Sequence, residues 1–135
     1  MTWIYQGKEF SEIPEGVVGF VYCITNLSDG RCYIGKKSAY FQRLKKVKNK
    51  RNKRLKLESN WKSYWSSSEA VKRDVFLLGE WNFKREIIHL CTNKAQLNYL
   101  ELREQIDRRV LESDQYYNEQ IYCRIRKCRY LIVPS

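Results

Sequence analysis

The 135-residue sequence predicts one α+β domain, a small, mainly antiparallel three-stranded sheet flanked by helices. Three observations predict it. Two β-branched and aromatic runs, 18–25 and 31–34, are joined through Asn26-Leu27-Ser28-Asp29-Gly30, whose Asp-Gly pair suits the positive φ angles of a tight reversal. A third such run, Trp81 to Cys91, lies far downstream. Two amphipathic stretches with helix start and stop signals lie before and after that third run.

In chain order, residues 1–17 contain Trp3-Ile4-Tyr5, Phe10 and Ile13-Pro14-Glu15-Gly16, which predict a short strand or arm and a turn into the hairpin. The hairpin carries Tyr22 on its first strand and Tyr33 on its second, which ends in Gly35-Lys36. A missing side chain there lets a ligand approach the backbone beside a cation. Ser38 then suits an N-cap, and Tyr40, Leu44 and Val47 share one face of the helix expected after it, with Arg43 beside that stripe. From Lys48 to Lys56 almost no residue is apolar, so a mobile loop is expected.

Trp61, Tyr64 and Trp65 predict core or lid packing, with stacking on bases as the alternative beside Lys62. Ser66-Ser67-Ser68-Glu69 matches a capping box that opens a helix through Leu78, with Ala70, Val71, Val75 and Leu78 inward and Gly79 at its end. In the third strand Phe83, Ile87 and Ile88 are apolar, and His89 is expected to be a hydrogen-bonded sheet residue rather than a base. Thr92 or Asn93 caps a helix from Lys94 to about Glu112, with Leu97, Leu100, Ile106, Val110 and Leu111 apolar. Glu101 and Glu104 lie one turn apart on it, and spacing alone selects neither. The tail from Ile121 to Val133 alternates weakly and carries Arg124, Arg126, Lys127 and Arg129, consistent with a further strand or hairpin.

Charge is the most informative bulk property. Positions 36, 37, 43, 45, 46, 48, 50, 51, 53, 54 and 56 are all lysine or arginine, and no acid falls among them. The other fifteen cations are matched by fifteen acids, so the net charge of +11 belongs to one segment and argues for a localised polyanion site. The cysteines, Cys23, Cys32, Cys91, Cys123 and Cys128, include no Cys-x-x-Cys pair, and His89 is the single histidine, which argues for reduced core thiols over a zinc site. The N-terminus resembles no export signal and no apolar run is long enough to span a bilayer, so a cytoplasmic location is expected. The sequence has no Walker loop, Gly-x-Gly-x-x-Gly or Gly-x-Ser-x-Gly motif, which leaves nucleotide hydrolysis and serine-hydrolase chemistry unsupported.

Val21-Tyr22, then ten residues, then Tyr33-Ile34-Gly35 resemble the paired triplets of the GIY-YIG nuclease family, and most of all small phage-encoded proteins related to homing endonucleases. The resemblance spans roughly residues 18–118, with a basic insertion at about 45–58 and a C-terminal extension at about 119–135. Phe20 departs from it, standing where the family usually has glycine. The resemblance implies a metal-dependent DNA endonuclease. Its catalytic set would be Tyr22 as general base, Tyr33 orienting the water or phosphate with Lys36, Arg43 forking onto the phosphate, Glu101 holding Mg²⁺ (or Mn²⁺), and Asn118 as an anchor. Arg51 or Arg54 stays open in place of Arg43, and Glu104 in place of Glu101. Lys36, Lys37, Lys45, Lys46, Lys48, Lys50, Arg51, Lys53 and Arg54 would follow the backbone of double-stranded DNA, bound by a monomer or homodimer. The competing readings are an inactive nucleic-acid-binding protein of the same fold and a basic structural or ribosome-associated protein.

Overall fold

The computed structural model describes residues 2–45, 53–121 and 127, and positions 42–45 and 53–55 by backbone alone. The strands are β1 (Trp3–Tyr5), β2 (Lys8–Phe10), β3 (Gly19–Asn26), β4 (Cys32–Ser38), β5 (Tyr40–Lys45), β6 (Lys53–Glu58) and β7 (Phe83–Cys91). The helices are α1 (Glu69–Leu78) and α2 (Lys94–Asp107). The fold is α+β, built on a mixed five-stranded sheet ordered β2-β1-β7-β3-β4.

The three antiparallel strands β7, β3 and β4 are the expected ones, and the N-terminal arm enlarges the sheet to five. Gln6 and Gly7 both adopt positive φ (50° and 78°), folding β1 and β2 into a two-residue hairpin, and β1 runs parallel to β7. In the β3–β4 reversal Gly30 alone has positive φ, at 80°, so Asp29 contributes through its side chain, which accepts from the Arg31 N–H.

Alternation along β3 sends successive side chains into two cores. Phe20, Tyr22 and Ile24 join Trp3, Trp61, Phe83, Val71 and Val75 on the face covered by α1. Val21 and Cys23 join Ile34, Leu97, Leu100 and Val110 on the face covered by α2. Ser68, not Ser66, caps α1 by accepting from the Val71 N–H, and Leu78 turns outward at 41% exposure. Asn93 caps α2, which ends at Asp107, five residues short of the expected Glu112. Ile106 and Leu111 are exposed because the chain turns through left-handed Arg109 into a short 3-10 turn, so only Val110 returns to the core.

The helix expected after Ser38 is absent. Residues 40–45 instead pair antiparallel with residues 53–58, Phe41 opposite Leu57 and Arg43 opposite Leu55. A helix would have stacked like charges three and four residues apart, whereas paired strands satisfy the backbone without that repulsion. The loop expected over 48–56 is therefore strand from Lys53 onward, and its earlier part lies outside the described residues, as do the tail strand expected beyond Ile121, Cys123 and Cys128. Cys23, Cys32 and Cys91 are free thiols. Among the described residues no helix is long and apolar enough to cross a membrane.

A buried polar network ties the hairpin turn to α1 and to the segment after α2. Asn26 donates to the Tyr117 hydroxyl (3.0 Å) and accepts from Asn82 (2.8 Å), while Tyr117 donates to Asp74 on α1 (2.7 Å), which also accepts from Arg31 (3.0 Å). Removing one member strands the others in a site with little water. Asn26→Ala is expected to lower unfolding free energy by about 1–3 kcal/mol in urea titrations, while Leu27→Ala, at a position 58% exposed, leaves it nearly unchanged.

Candidate active site

The site grows from the free edge of β4. Alternate residues of an edge strand aim their backbone N–H and C=O groups away from the sheet, where they need partners. Cys32 finds them in the backbone of 115–117. Ile34 finds them in side chains: Asn118 Oδ1 accepts from its N–H (3.0 Å), and its carbonyl accepts from Asn118 Nδ2 (2.9 Å) and from Gln105 Nε2 of α2 (3.1 Å). Lys36, the next outward residue, donates its backbone N–H to the Glu101 carboxylate. Asn118, Gln105 and Glu101 thus hold β4 at successive steps, with Tyr33 and Gly35 between them.

Tyr33 and Gly35 face the α1 side, beside Tyr22. Tyr22 stands directly opposite Gly35, and its ring covers the backbone there so closely that a Cβ at position 35 would lie 2.6 Å from the phenol oxygen and 2.9 Å from Tyr33 Cε1. The Tyr22 and Tyr33 rings are 6.2 Å apart, and Tyr64 meets Tyr22 edge-on at 6.1 Å. A β-bulge in the β3–β7 pairing falls between Val21 and Tyr22, re-aiming this part of the strand. Gly19 lies opposite Ser38, where a Cβ would come within 2.9 Å of Leu97, so the glycine that lets α2 approach β3 is one position before fully buried Phe20.

Tyr64 is placed by Arg85, a residue to which the sequence drew no attention. Its buried guanidinium sits over Trp3 and Trp65 and donates to the carbonyls of Lys62 (3.1 Å) and Tyr64 (2.8 Å). Burial pushes the Arg85 pKa down to about 10. Ser66 follows at φ 85°, a strained angle for serine, and directs Ser67 to the Tyr33 hydroxyl (3.3 Å). A cluster of hydroxyl-bearing residues beside Lys62 is the available sequence signal for Tyr64 and Ser67.

Lys36 Nζ lies 3.8 Å from Glu101 and donates to Asn98 on α2, while Lys37 Nζ sits 4.2 Å above the Tyr64 ring. Glu104 faces elsewhere, accepting from Arg108 (3.0 Å) and sharing a 2.8 Å hydrogen bond with His89 Nε2. Arg43 lies on β5, and its side chain is outside the description, as are those of Lys45, Lys53 and Arg54; Lys46, Lys48, Lys50 and Arg51 lie outside the described residues altogether. The strand pair carrying these cations leaves β4 at Ser38 and returns at Ser59, whose hydroxyl donates to the Ser38 carbonyl (2.6 Å).

The electrostatics separate the groups further. Burial, then Tyr64 and Tyr33, push the Tyr22 phenol well above its ordinary value, and the Glu101 charge adds to this. Burial also raises Tyr33, partly offset by the Ser67 hydrogen bond, with Glu101 again contributing. Burial raises the Glu101 carboxyl against the opposing pull of Lys36. For Glu104, burial acts upward, but the hydrogen bonds from His89 and Arg108 prevail and hold the carboxyl below the usual range. Glu101 is therefore the carboxylate coupled to both phenols, whereas Glu104 is held by an ion pair with Arg108 and a hydrogen bond with His89.

A family model described as "Putative endonuclease segE, GIY-YIG domain" matches residues 3–121. The chain belongs to this GIY-YIG family. No curated protein and no solved structure matches the chain as a relative. In this GIY-YIG domain the described residues contain no group of three or more His, Cys, Asp or Glu side chains arranged to hold a metal.

Two consequences are testable. Gly35→Ala drives a Cβ into two packed rings and is expected to cost about 1–3 kcal/mol of stability in denaturant titration. Because the folded-state pKa of Glu101 lies above the unfolded value of 4.5, its penalty is full above the folded pKa and absent below the unfolded one. Glu101→Gln is therefore expected to raise the melting temperature at neutral pH, with the gain vanishing as pH falls below 4.5.

Proposed function

We propose that the protein is a Mg²⁺-dependent endonuclease acting on double-stranded DNA. The observation that carries the reading is that Tyr22 and Tyr33 pack together over Gly35, while Glu101, 3.8 Å from Lys36 Nζ, is electrostatically coupled to both phenols. Phosphodiester hydrolysis requires a water stripped of its proton, charge cancellation at the phosphoryl oxygens and stabilisation of the leaving oxygen. Gly35 leaves room for the Tyr22 ring, and the partly exposed Tyr33 and Lys37 mark the face at which the phosphate would approach. Lys36 and Lys37 supply positive charge at that approach, and the cations of the β5–β6 pair supply more along the flanking backbone.

Glu101 would hold the metal, which when bound supplies positive charge beside the phosphate and lowers the pKa of nearby groups. Tyr22, at 1% exposure and with its phenol pushed upward, is suited to donate a hydrogen bond and to fix Tyr33 rather than to ionise in the free protein. We therefore assign the proton-accepting role to the more accessible Tyr33, with Ser67 as its hydrogen-bond partner. Asn118 acts at one remove, through Ile34. Arg43 remains the proposed phosphate-forking arginine on the family resemblance.

Supercoiled plasmid incubated with Mg²⁺ is expected to yield nicked or linear DNA with 5′-phosphate ends, and EDTA to abolish the product. Tyr33→Phe is expected to slow cleavage by about 10²-fold or more, and Glu101→Ala to remove it. Since Tyr33 titrates above its ordinary value, the wild-type rate should climb about tenfold per pH unit through neutrality while the phenol stays mostly protonated. Salt-sensitive DNA binding without cleavage under any divalent ion would instead identify an inactive binding protein.

A further inference from the structure

A cavity of about 610 Å³ adjoins the phosphate site and shares Tyr64 with it. Trp65, Val75 and Phe76 complete its aromatic and apolar wall, and Asn60 and Lys72 add polar groups. Its volume falls in the range of small-ligand sites. Phe76 is 87% exposed, an arrangement that stabilises no core. Trp81, 74% exposed, folds its indole over Gly79 at the cavity wall, where a Cβ would lie 2.6 Å from Nε1. Two large aromatics left in water at one cavity mark a binding surface rather than a packing remnant.

Three features identify the occupant. The aromatic wall begins at Tyr64, which contacts Tyr22 on one side and carries the Lys37 ammonium on its ring, so a ligand here is continuous with a bound phosphate. The lining mixes rings with hydroxyl, amide and ammonium groups, as a heteroaromatic ligand with polar edges requires and an apolar peptide does not. Ser66, buried and strained at φ 85°, holds Trp65 and Ser67 in separate environments, the cavity and the Tyr33 hydroxyl.

We propose that this cavity receives an unpaired base of the substrate DNA, stacked against Phe76 and Trp81 while its phosphate lies beside Lys37, whose ammonium sits on the Tyr64 ring. The proposal rests on the endonuclease reading and deepens it, since a base already outside the duplex enters without the energy of unpairing. The protein would then favour mismatched, bulged or otherwise distorted DNA over regular duplex.

The test compares affinity, by fluorescence anisotropy without divalent cations, for a duplex carrying one unpaired adenosine and the same duplex with that nucleotide abasic. The expected preference is about fivefold or more for the duplex that keeps the base. Phe76→Ala and Trp81→Ala should each shrink this ratio towards one, while Leu111→Ala, exposed on another part of the molecule, preserves it. A ratio of one in the wild type, or one that survives both truncations, overturns the pocket and leaves its aromatic rim to a protein partner. Because binding is read without metal, a missing preference leaves the cleavage assay standing, and an intact preference without cleavage refutes the endonuclease reading alone.

Discussion

The constraint on which the rest depends is the contact between the Tyr22 ring and the backbone of Gly35. It exists because position 35 has no side chain, and a Cβ there would overlap the phenol. That contact sets the spacing of β3 and β4 side chains on one face and leaves the Tyr33 ring beside Tyr22. The β-bulge next to Tyr22 and the clamp on Ile34 hold the two partners in register from opposite sides.

The free edge of β4 shows how stability and chemistry share the same atoms. An exposed strand edge invites pairing with other chains, and here its outward groups are closed successively by backbone, by Asn118 and Gln105, and by Glu101. The carboxylate suited to a metal is also the group that satisfies the Lys36 N–H. Burial raises the Glu101 carboxyl and, with a smaller contribution from its charge, both phenols, so the folded protein carries an electrostatic penalty at Glu101 where a cation would relieve it.

Arg85 and the loop it holds extend the site beyond the two triplets. A buried guanidinium between tryptophan rings is justified by its hydrogen bonds to the Lys62 and Tyr64 carbonyls, which turn a polar loop into a fixed wall. Tyr64 then faces Tyr22 on one side and the aromatic cavity on the other. The strained Ser66 divides those environments within a single residue.

Much of the fold was legible in the chain itself. The alternation in 18–25 and 83–91, the Gly30 reversal and the cap at Asn93 are local effects, determined by residues within a few positions of one another, whereas the cap of α1 falls at Ser68, two residues past the expected Ser66. Charge composition locates the basic segment, but residues 40–45 and 53–58 form paired strands where a helix and a loop are expected, because six-residue stretches of mixed apolar and cationic residues carry no decisive period and the partner strand decides. The choice between Glu101 and Glu104 was equally beyond spacing. Both lie on one helix a turn apart, and what separates them is that one meets the free N–H of Lys36 while the other meets His89 and Arg108. The two tyrosines, the glycine between their rings and the net charge were set by the sequence alone. The partners of that hairpin, drawn from residues 64, 85, 101, 105 and 118, were decided only by the tertiary structure, because an edge strand's unpaired groups and the burial around a phenol exist only once distant elements meet.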